Sequence, residues 1–270
     1  MSTSGKISSK VVESFARIGI SAKGVVYVLT GVLAFMAAFE IGNKDDASQG
    51  GVFDAIMHQV FGKILLGILA AGLICYCAWR FLATFKDTEN KGSDKKGYLA
   101  RARYFISGLA YAGLAFSAIR FIFTPVKKGS GNSQKKVAAE ILSEPTGQWL
   151  LGIAGIVIII IGLYQIYLSV SGKFKKHVEE GKSSPDGKTM IYRAGWIGYV
   201  SRGLVWMIIG WLFIKAAWMS DSNQAGGTNE AFKWIETSSY GSYLLGAIAL
   251  GLICYGFYMF VRAKYQPISG

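Results

Sequence analysis

The chain has 270 residues, of which 52% are hydrophobic, and its mean hydropathy is +0.36. This composition excludes most soluble domains and predicts an integral membrane protein. The net charge of +13 would favour a nucleic-acid ligand in a soluble protein. No recognisable nucleic-acid-binding motif accompanies that charge, so we expect no nucleic-acid partner.

Six mainly apolar stretches follow one another along the chain, each of about 20 residues, the length that crosses a bilayer core. They are residues 19–39, 61–82, 104–123, 148–170, 196–219 and 241–261. We therefore predict six transmembrane helices. The first follows a polar, basic leader and has no convincing small-residue cleavage site, so we interpret it as a retained span and not as a signal peptide.

Basic residues are concentrated on one predicted side of the membrane. The N-terminus, residues 80–103, residues 171–202 and the C-terminus hold 20 of the 29 lysines and arginines, with 7 acidic residues, whereas the other connections hold 9 of each sign. The positive-inside rule predicts that the basic side, with both termini, faces the cytoplasm. Anionic lipid headgroups are the partners expected at that face.

The first and last thirds of the chain repeat each other without gaps at an offset of 179 residues. Residues 72–76 (Gly-Leu-Ile-Cys-Tyr) recur unchanged as residues 251–255, and residues 19–27 align with residues 198–206. An internal repeat of this length predicts an architecture of repeated structural units.

A more divergent copy lies between the two outer ones. Residues 108–111 (Gly-Leu-Ala-Tyr) correspond to the first-helix signature of the outer copies, and residues 147–152 correspond to residues 62–67. Two landmarks are lost, because Ser107 replaces a basic residue and Val157 replaces a glycine.

Each copy contributes two spans, so all three copies enter the membrane in the same direction. We predict an all-α polytopic membrane protein of three parallel two-helix repeats, arranged with pseudo-threefold symmetry about the membrane normal. Repeat 1 covers residues 1–97, repeat 2 covers residues 98–190 and repeat 3 covers residues 191–270. The sequence leaves open which type of helix lies nearer the axis.

The repeated signature is a small residue, a lysine or arginine, a glycine, two apolar residues and a tyrosine or tryptophan. It resembles that of a bacterial family catalogued as domain of unknown function 1206. The resemblance covers nearly the whole chain and depends mainly on the first and third copies. It implies a bacterial six-helix membrane protein, which we expect in the inner membrane, and implies no established activity, so it transfers no functional residues.

A short amphipathic pattern recurs in each outer connection, just before the second span of the repeat. Its one-sided helical spacing predicts three short helices at the outer membrane surface. Ser133 and Thr228 are the expected N-caps of the second and third of these helices.

Lys23 and Arg202 are the main candidates for a binding site, since they are equivalent by repeat and lie about one turn inside their spans. In one interpretation both side chains reach lipid phosphates and fix the topology. In the other they form, with Ser107, an anion or lipid-headgroup site around the pseudo-axis. Arg17 and Arg103 lie near them in the sequence and fit either account.

Glycines form a second repeated pattern on the first helix of each copy. Gly24 and Gly31 are seven residues apart and share a helix face, as do Gly203 and Gly210, with Gly108 in the middle copy. Small faces of this kind favour close helix packing more than a permeation path.

The aromatic residues near the inner ends of the second helices have a simpler interpretation. Tyr76 and Tyr255 are expected to be interfacial anchors.

The sequence offers little for chemistry. His58 and His177 fall on opposite predicted sides of the membrane, and the three cysteines lie in predicted helices, so we expect no metal, no cofactor and no catalytic residues. Two functions stay open. The first is a non-enzymatic protein that binds lipid or a protein partner, and the second is a small channel or transporter that favours anions. Homo-oligomerisation is also open.

Overall fold

A computed structural model describes residues 3–41, 48–87, 92, 94–124, 132–177 and 185–266. Over these residues the chain forms nine α-helices and two short 3-10 helices, Lys173–His177 and Ser222–Gln224. The α-helices are α1 (Thr3–Ala38), α2 (Gln49–Met57), α3 (Gly62–Phe85), α4 (Lys95–Phe123), α5 (Asn132–Leu142), α6 (Gly147–Val170), α7 (Pro185–Met219), α8 (Thr228–Glu236) and α9 (Gly241–Tyr265). The predicted all-α class is confirmed.

Within the described residues, α1, α3, α4, α6, α7 and α9 are long and apolar enough to cross a membrane. The six predicted spans are therefore confirmed, and α1 and α7 also continue into the basic segments that precede their apolar parts. We call the end of the bundle where α1, α4 and α7 begin the basic end. The short helices α2, α5 and α8 lie at the opposite end.

The predicted short helices are all present, but the expected N-caps are wrong. The helix α8 is capped by Gly227, whose backbone N–H donates to the Glu230 carboxylate at 2.9 Å, so Thr228 is already the first helical residue. The helix α5 starts at Asn132, which places Ser133 inside it. Because the Glu230 carboxylate accepts from the backbone N–H of Gly227, Gly227 is the N-cap and α8 starts one residue earlier than predicted.

The six long helices pack in a ring in the order α4, α3, α1, α9, α7, α6. Two of the packed pairs lie within a repeat (α1 with α3, and α7 with α9), and three lie between repeats (α1 with α9, α3 with α4, and α6 with α7). The helices α4 and α6 would complete the ring. Over the described residues these two helices do not pack closely, and we call the gap between them the open seam.

Glycines set the distance between helices of different repeats. A Cβ on Gly203 would lie 2.8 Å from the carbonyl oxygen of Gly162, and a Cβ on Gly210 would lie 2.6 Å from that of Gly155. Either distance is shorter than a carbon and an oxygen tolerate, so α6 and α7 approach as closely as they do because both helices carry glycine.

A similar hydroxyl–carbonyl approach recurs where the second helix of one repeat meets the first helix of the next. The Ser169 hydroxyl donates to the Trp196 carbonyl at 2.9 Å, and the Thr84 hydroxyl, which donates to the Arg80 carbonyl at 2.8 Å, lies 3.4 Å from the Arg101 carbonyl oxygen. These positions are equivalent in the repeat, so the divergent middle copy keeps the packing geometry of its neighbours at this end of the bundle.

Candidate anion-binding site

Lys23 lies inside the bundle near the basic end and does not reach the surface. Its side chain is 4% exposed. The ammonium nitrogen lies 5.2 Å from the ring centroids of Tyr76 and Tyr111, 5.5 Å from that of Tyr255 and 5.9 Å from that of Tyr27. It also donates to the Tyr76 hydroxyl at 3.3 Å. Lys23 is thus surrounded by tyrosine rings contributed by α1, α3, α4 and α9.

Arg202 on α7 reaches the same tyrosines from the other side. Its Nε donates to the Tyr27 hydroxyl at 2.7 Å, and one terminal nitrogen donates to the Tyr255 hydroxyl at 2.9 Å. The side chain is partly exposed. The two basic residues that are equivalent by repeat therefore meet on one group of aromatic side chains. We call Lys23, Arg202, Tyr27, Tyr76, Tyr111 and Tyr255 the cation–tyrosine cluster.

Two further buried cations lie beside this cluster. Arg80 donates to the Tyr76 hydroxyl at 3.0 Å, and its guanidinium lies 4.1 Å from the centroid of the Trp79 ring. Arg262 donates to the Gln266 side chain at 2.7 Å. Both side chains are 6% exposed. The basic end therefore carries positive charge in its interior as well as on its surface.

The cation–tyrosine cluster holds more hydrogen-bond donors than acceptors. Lys and Arg side chains only donate, and a tyrosine hydroxyl that accepts from a cation still has its own proton to donate. In the described part of the chain, the polar partners of Lys23 and Arg202 are tyrosine hydroxyls, and none is a carboxylate. An anion with several acceptor oxygens has the chemistry that complements these donors.

The energetic cost of the cluster is tolerable without a ligand. Placing a lysine or arginine in the middle of a span costs up to about 3.5 kcal/mol on insertion scales. A desolvated cation–π contact returns about 2 kcal/mol, and a hydrogen bond to a charged group returns roughly 1.5–3 kcal/mol. Each cation has several such contacts, so the rings and hydroxyls hold the cluster in place before any anion arrives.

The other sequence candidates lie around this cluster. Arg17 pairs with the Glu13 carboxylate at 2.7 Å and donates to the carbonyl of Ala263 at the end of α9, so it ties α1 to a helix terminus. Arg103 lies across the open seam, with its guanidinium 4.5 Å from the centroid of the Tyr164 ring. Ser107 is partly exposed on α4, one turn before Tyr111.

The candidate packing glycines lie on contact faces of their helices. A Cβ on Gly24 would lie 3.0 Å from the Gly256 carbonyl oxygen, and a Cβ on Gly31 would lie 2.8 Å from that of Ala249. Gly203 and Gly210 make the corresponding approaches between α6 and α7. Gly108 differs, because the three nearest neighbours of its Cβ would be atoms of the Phe81 ring, the closest at 3.2 Å.

Sequence reasoning missed the tyrosines. Tyr76 and Tyr255 were expected at the membrane interface, but both are 1% exposed and belong to the cluster. Tyr27 and Tyr111 could have been noticed in the sequence, because they occupy equivalent positions, four residues after Lys23 and Ser107. An aromatic one helical turn from a basic residue shares its face, so this spacing could have indicated a cation–π site.

The cysteines and acidic residues form no metal site in the described part of the chain. Cys75, Cys77 and Cys254 are free thiols. No three His, Cys, Asp or Glu side chains among the described residues come together in a way that would hold a metal ion.

The fold and the cluster together define a multi-pass, membrane-type helical protein made of three parallel repeats, with a positively charged interior at one end. The family described as Domain of Unknown Function (DUF1206) matches this chain three times, at residues 18–87, 102–172 and 197–266. The chain belongs to this family, as the repeated signature indicated.

One relative extends over nearly the whole chain. It is described as an uncharacterized protein, YxxB, of Bacillus subtilis (strain 168), and it is 32% identical over 258 residues, which cover 96% of this chain and 92% of the relative. No solved structure matches this chain.

Proposed function

We propose that this protein is a non-enzymatic membrane protein that binds the anionic headgroup of a membrane lipid in the cation–tyrosine cluster. The observation that carries the proposal is the excess of buried donors around Lys23 and Arg202, with no carboxylate among the described partners of either cation. The basic end would then face the cytoplasm, where anionic headgroups are abundant.

A phosphate-type oxyanion suits the cluster best. Its oxygens can accept from the Arg202 guanidinium and the Lys23 ammonium, and the tyrosine hydroxyls offer further donors around them. A lipid phosphate and free inorganic phosphate share this chemistry. Neither histidine belongs to the cluster, since His58 follows α2 at the opposite end and His177 ends a 3-10 helix after α6. Such a cluster is suited to holding an anion more than to acid–base chemistry.

Anion passage through the bundle is the second candidate, and the position of the cluster at the repeat interface favours it. The remaining length of the bundle argues against it. Between the cluster and the opposite end, the described buried side chains of α1, α3, α4 and α9 are apolar except for Thr30. A path lined in this way would dehydrate an anion at a high energetic cost.

Anion flux into liposomes that contain the protein is expected to equal the flux into empty vesicles. A higher flux that falls in the Arg202→Gln variant would favour passage.

Anion-dependent thermal unfolding tests the binding proposal. We expect inorganic phosphate or phosphatidylglycerol in detergent micelles to raise the unfolding midpoint of the purified full chain, because a ligand that binds only the folded state adds about 2.7 kcal/mol at a hundred times its Kd. Lys23→Gln and Arg202→Gln should remove most of that increase.

Lys63→Gln is the matched control, since Lys63 is an exposed cation at the start of α3. It should respond to both probes like the unmodified protein. Equal responses in all four proteins would overturn the proposal, since the effect would then come from surface charge or the micelle.

A further inference from the structure

The open seam breaks an otherwise regular ring. Helices of one repeat touch through small residues in the outer copies. A Cβ on Gly72 would lie 2.6 Å from the Cβ of Ala22, and a Cβ on Gly198 would lie 2.6 Å from the Cα of Tyr255. The corresponding pair of the middle copy is α4 and α6, and over the described residues these helices do not pack closely.

Large side chains replace the small ones at the equivalent positions of the middle copy. Arg103 stands where the outer copies carry Gly19 and Gly198, Ile106 stands where they carry Ala22 and Ser201, and Val157 stands where they carry Gly72 and Gly251. Ile106 is 49% exposed and Val157 is 43% exposed. Because these side chains need space that a close approach would deny, α4 and α6 stay apart.

Farther from the basic end, the side chains of the middle copy are smaller than their equivalents in the outer copies. Ala110 and Gly113 are exposed, although their equivalents in repeat 1 are the buried Val26 and the partly buried Leu29. A Cβ on Gly113 would meet no atom of the described chain within 4 Å. The helix α4 thus presents a face of small residues along the open seam, where the outer repeats fill the space with branched side chains.

The open seam borders the cation–tyrosine cluster directly. Tyr111 lies on α4 one residue after Ala110, and its ring is 5.2 Å from the Lys23 ammonium. At the basic end, Arg103 and Tyr164 lie across the seam. A molecule that lay between α4 and α6 would therefore have an apolar length in contact with small side chains and a charged end next to cations.

We propose that the anion bound by the cluster is the headgroup of a lipid that enters sideways from the bilayer through the open seam and leaves an acyl chain along Ala110 and Gly113. The inference depends on the proposed function and adds the route by which the lipid enters and the place of its acyl chain. The occupant is an anionic lipid because the seam joins an apolar groove to a positive cluster, and this charge arrangement complements a lipid and not a second copy of this basic chain.

The experiment fills the groove without touching the cluster. Gly113→Leu should fit, because its Cβ has open space, and it should lower the retention of phosphatidylglycerol by about tenfold, because the leucine side chain takes the place of the acyl chain and removes its van der Waals contacts with α4. Stabilisation by inorganic phosphate should stay unchanged, because Arg202 is partly exposed and a small anion does not need the seam. Retention is measured by native mass spectrometry of the full chain in phosphatidylglycerol micelles.

Gly67→Leu is the matched control, because Gly67 also lies in a span with room around it, its nearest neighbour for an added Cβ being an Ile122 methyl group at 4.0 Å. It should retain lipid like the unmodified protein.

Unchanged retention in Gly113→Leu, combined with loss in Arg202→Gln, would overturn the route and leave the proposed function intact. A dimer that Gly113→Leu converts to a monomer, with lipid retention unchanged, would assign the seam to a second copy. Loss of neither probe in Arg202→Gln would overturn the proposed function itself.

Discussion

At the scale of single residues, the tyrosines of the cluster serve two purposes. Their rings surround the Lys23 ammonium at cation–π distances, and their hydroxyls accept hydrogen bonds from both Lys23 and Arg202. Phenylalanine would provide only the rings. The hydroxyl allows an arginine to be partly buried without a carboxylate partner, because the hydroxyl oxygen accepts a hydrogen bond from the guanidinium and adds no negative charge.

Tyr255→Phe separates these two contributions. The variant keeps the ring over Lys23 and removes the acceptor of one Arg202 N–H, so we expect the free energy of unfolding to fall by roughly 1.5–3 kcal/mol, the usual value for a hydrogen bond to a charged group. Thermal unfolding in detergent measures the change.

Tyr243→Phe is the control for this variant, since Tyr243 lies on the same helix and is 73% exposed. It should unfold like the unmodified protein. A Tyr255→Phe midpoint equal to that of the control would mean that water satisfies Arg202 as well as the hydroxyl does.

At the scale of elements, the three contacts between repeats differ in closeness for a reason visible in the sequence. The contacts of α1 with α9 and of α6 with α7 pair glycines on both helices, as Gly24 with Gly256 and Gly203 with Gly162. In the contact of α3 with α4, Cys77 takes the place of Gly162 and Gly256. An added Cβ on Gly108 would accordingly have the Phe81 ring as its nearest neighbour there.

Gly210→Ala tests how far these close contacts depend on glycine. The new Cβ would lie 2.6 Å from the Gly155 carbonyl oxygen, so the helices must separate, and we expect a loss of about 1–3 kcal/mol in the free energy of unfolding. Gly113→Ala provides the comparison on α4, because its Cβ meets open space and alanine favours the helix by up to about 1 kcal/mol. Thermal unfolding should rank Gly113→Ala at or above the unmodified protein and Gly210→Ala below it, and the reverse order would contradict the packing account.

At the scale of the whole molecule, the parallel repeats collect the basic segments at one end. The bundle therefore has one strongly positive end and one near neutral, and the positive-inside rule predicts that the basic end faces the cytoplasm. The interior cations strengthen this polarity, since Lys23, Arg80, Arg202 and Arg262 all lie in the half of the bundle near that end.

A reporter at the C-terminus tests this orientation. Green fluorescent protein fused there should fluoresce in bacterial cells, because the reporter folds in the cytoplasm and not after export in an unfolded form. An alkaline phosphatase fusion at the same point should be inactive. Active phosphatase with a dark fluorescent fusion would invert the predicted topology and move the cluster to the outer half of the membrane.

The sequence was sufficient for the architecture because its signals are local or periodic. A run of apolar residues specifies a span wherever it lies, and the recurrence of residues 72–76 at 251–255 specifies a repeat without knowledge of any contact. The limits of the short helices were less certain, as Gly227 and Asn132 show, because a helix start depends on which neighbouring side chain satisfies the first amides.

The sequence by itself therefore determined six spans, three parallel repeats and a basic end. The tertiary structure decided which side chains meet, since Arg202 and the Tyr27 hydroxyl are 175 residues apart in the chain and join only when α1 and α7 converge on the same tyrosines. It also decided that the ring is open, because the large side chains of Arg103, Ile106 and Val157 keep two helices apart only where α4 faces α6. Both outcomes depend on volumes and charges that distant segments bring together, and no local pattern records them.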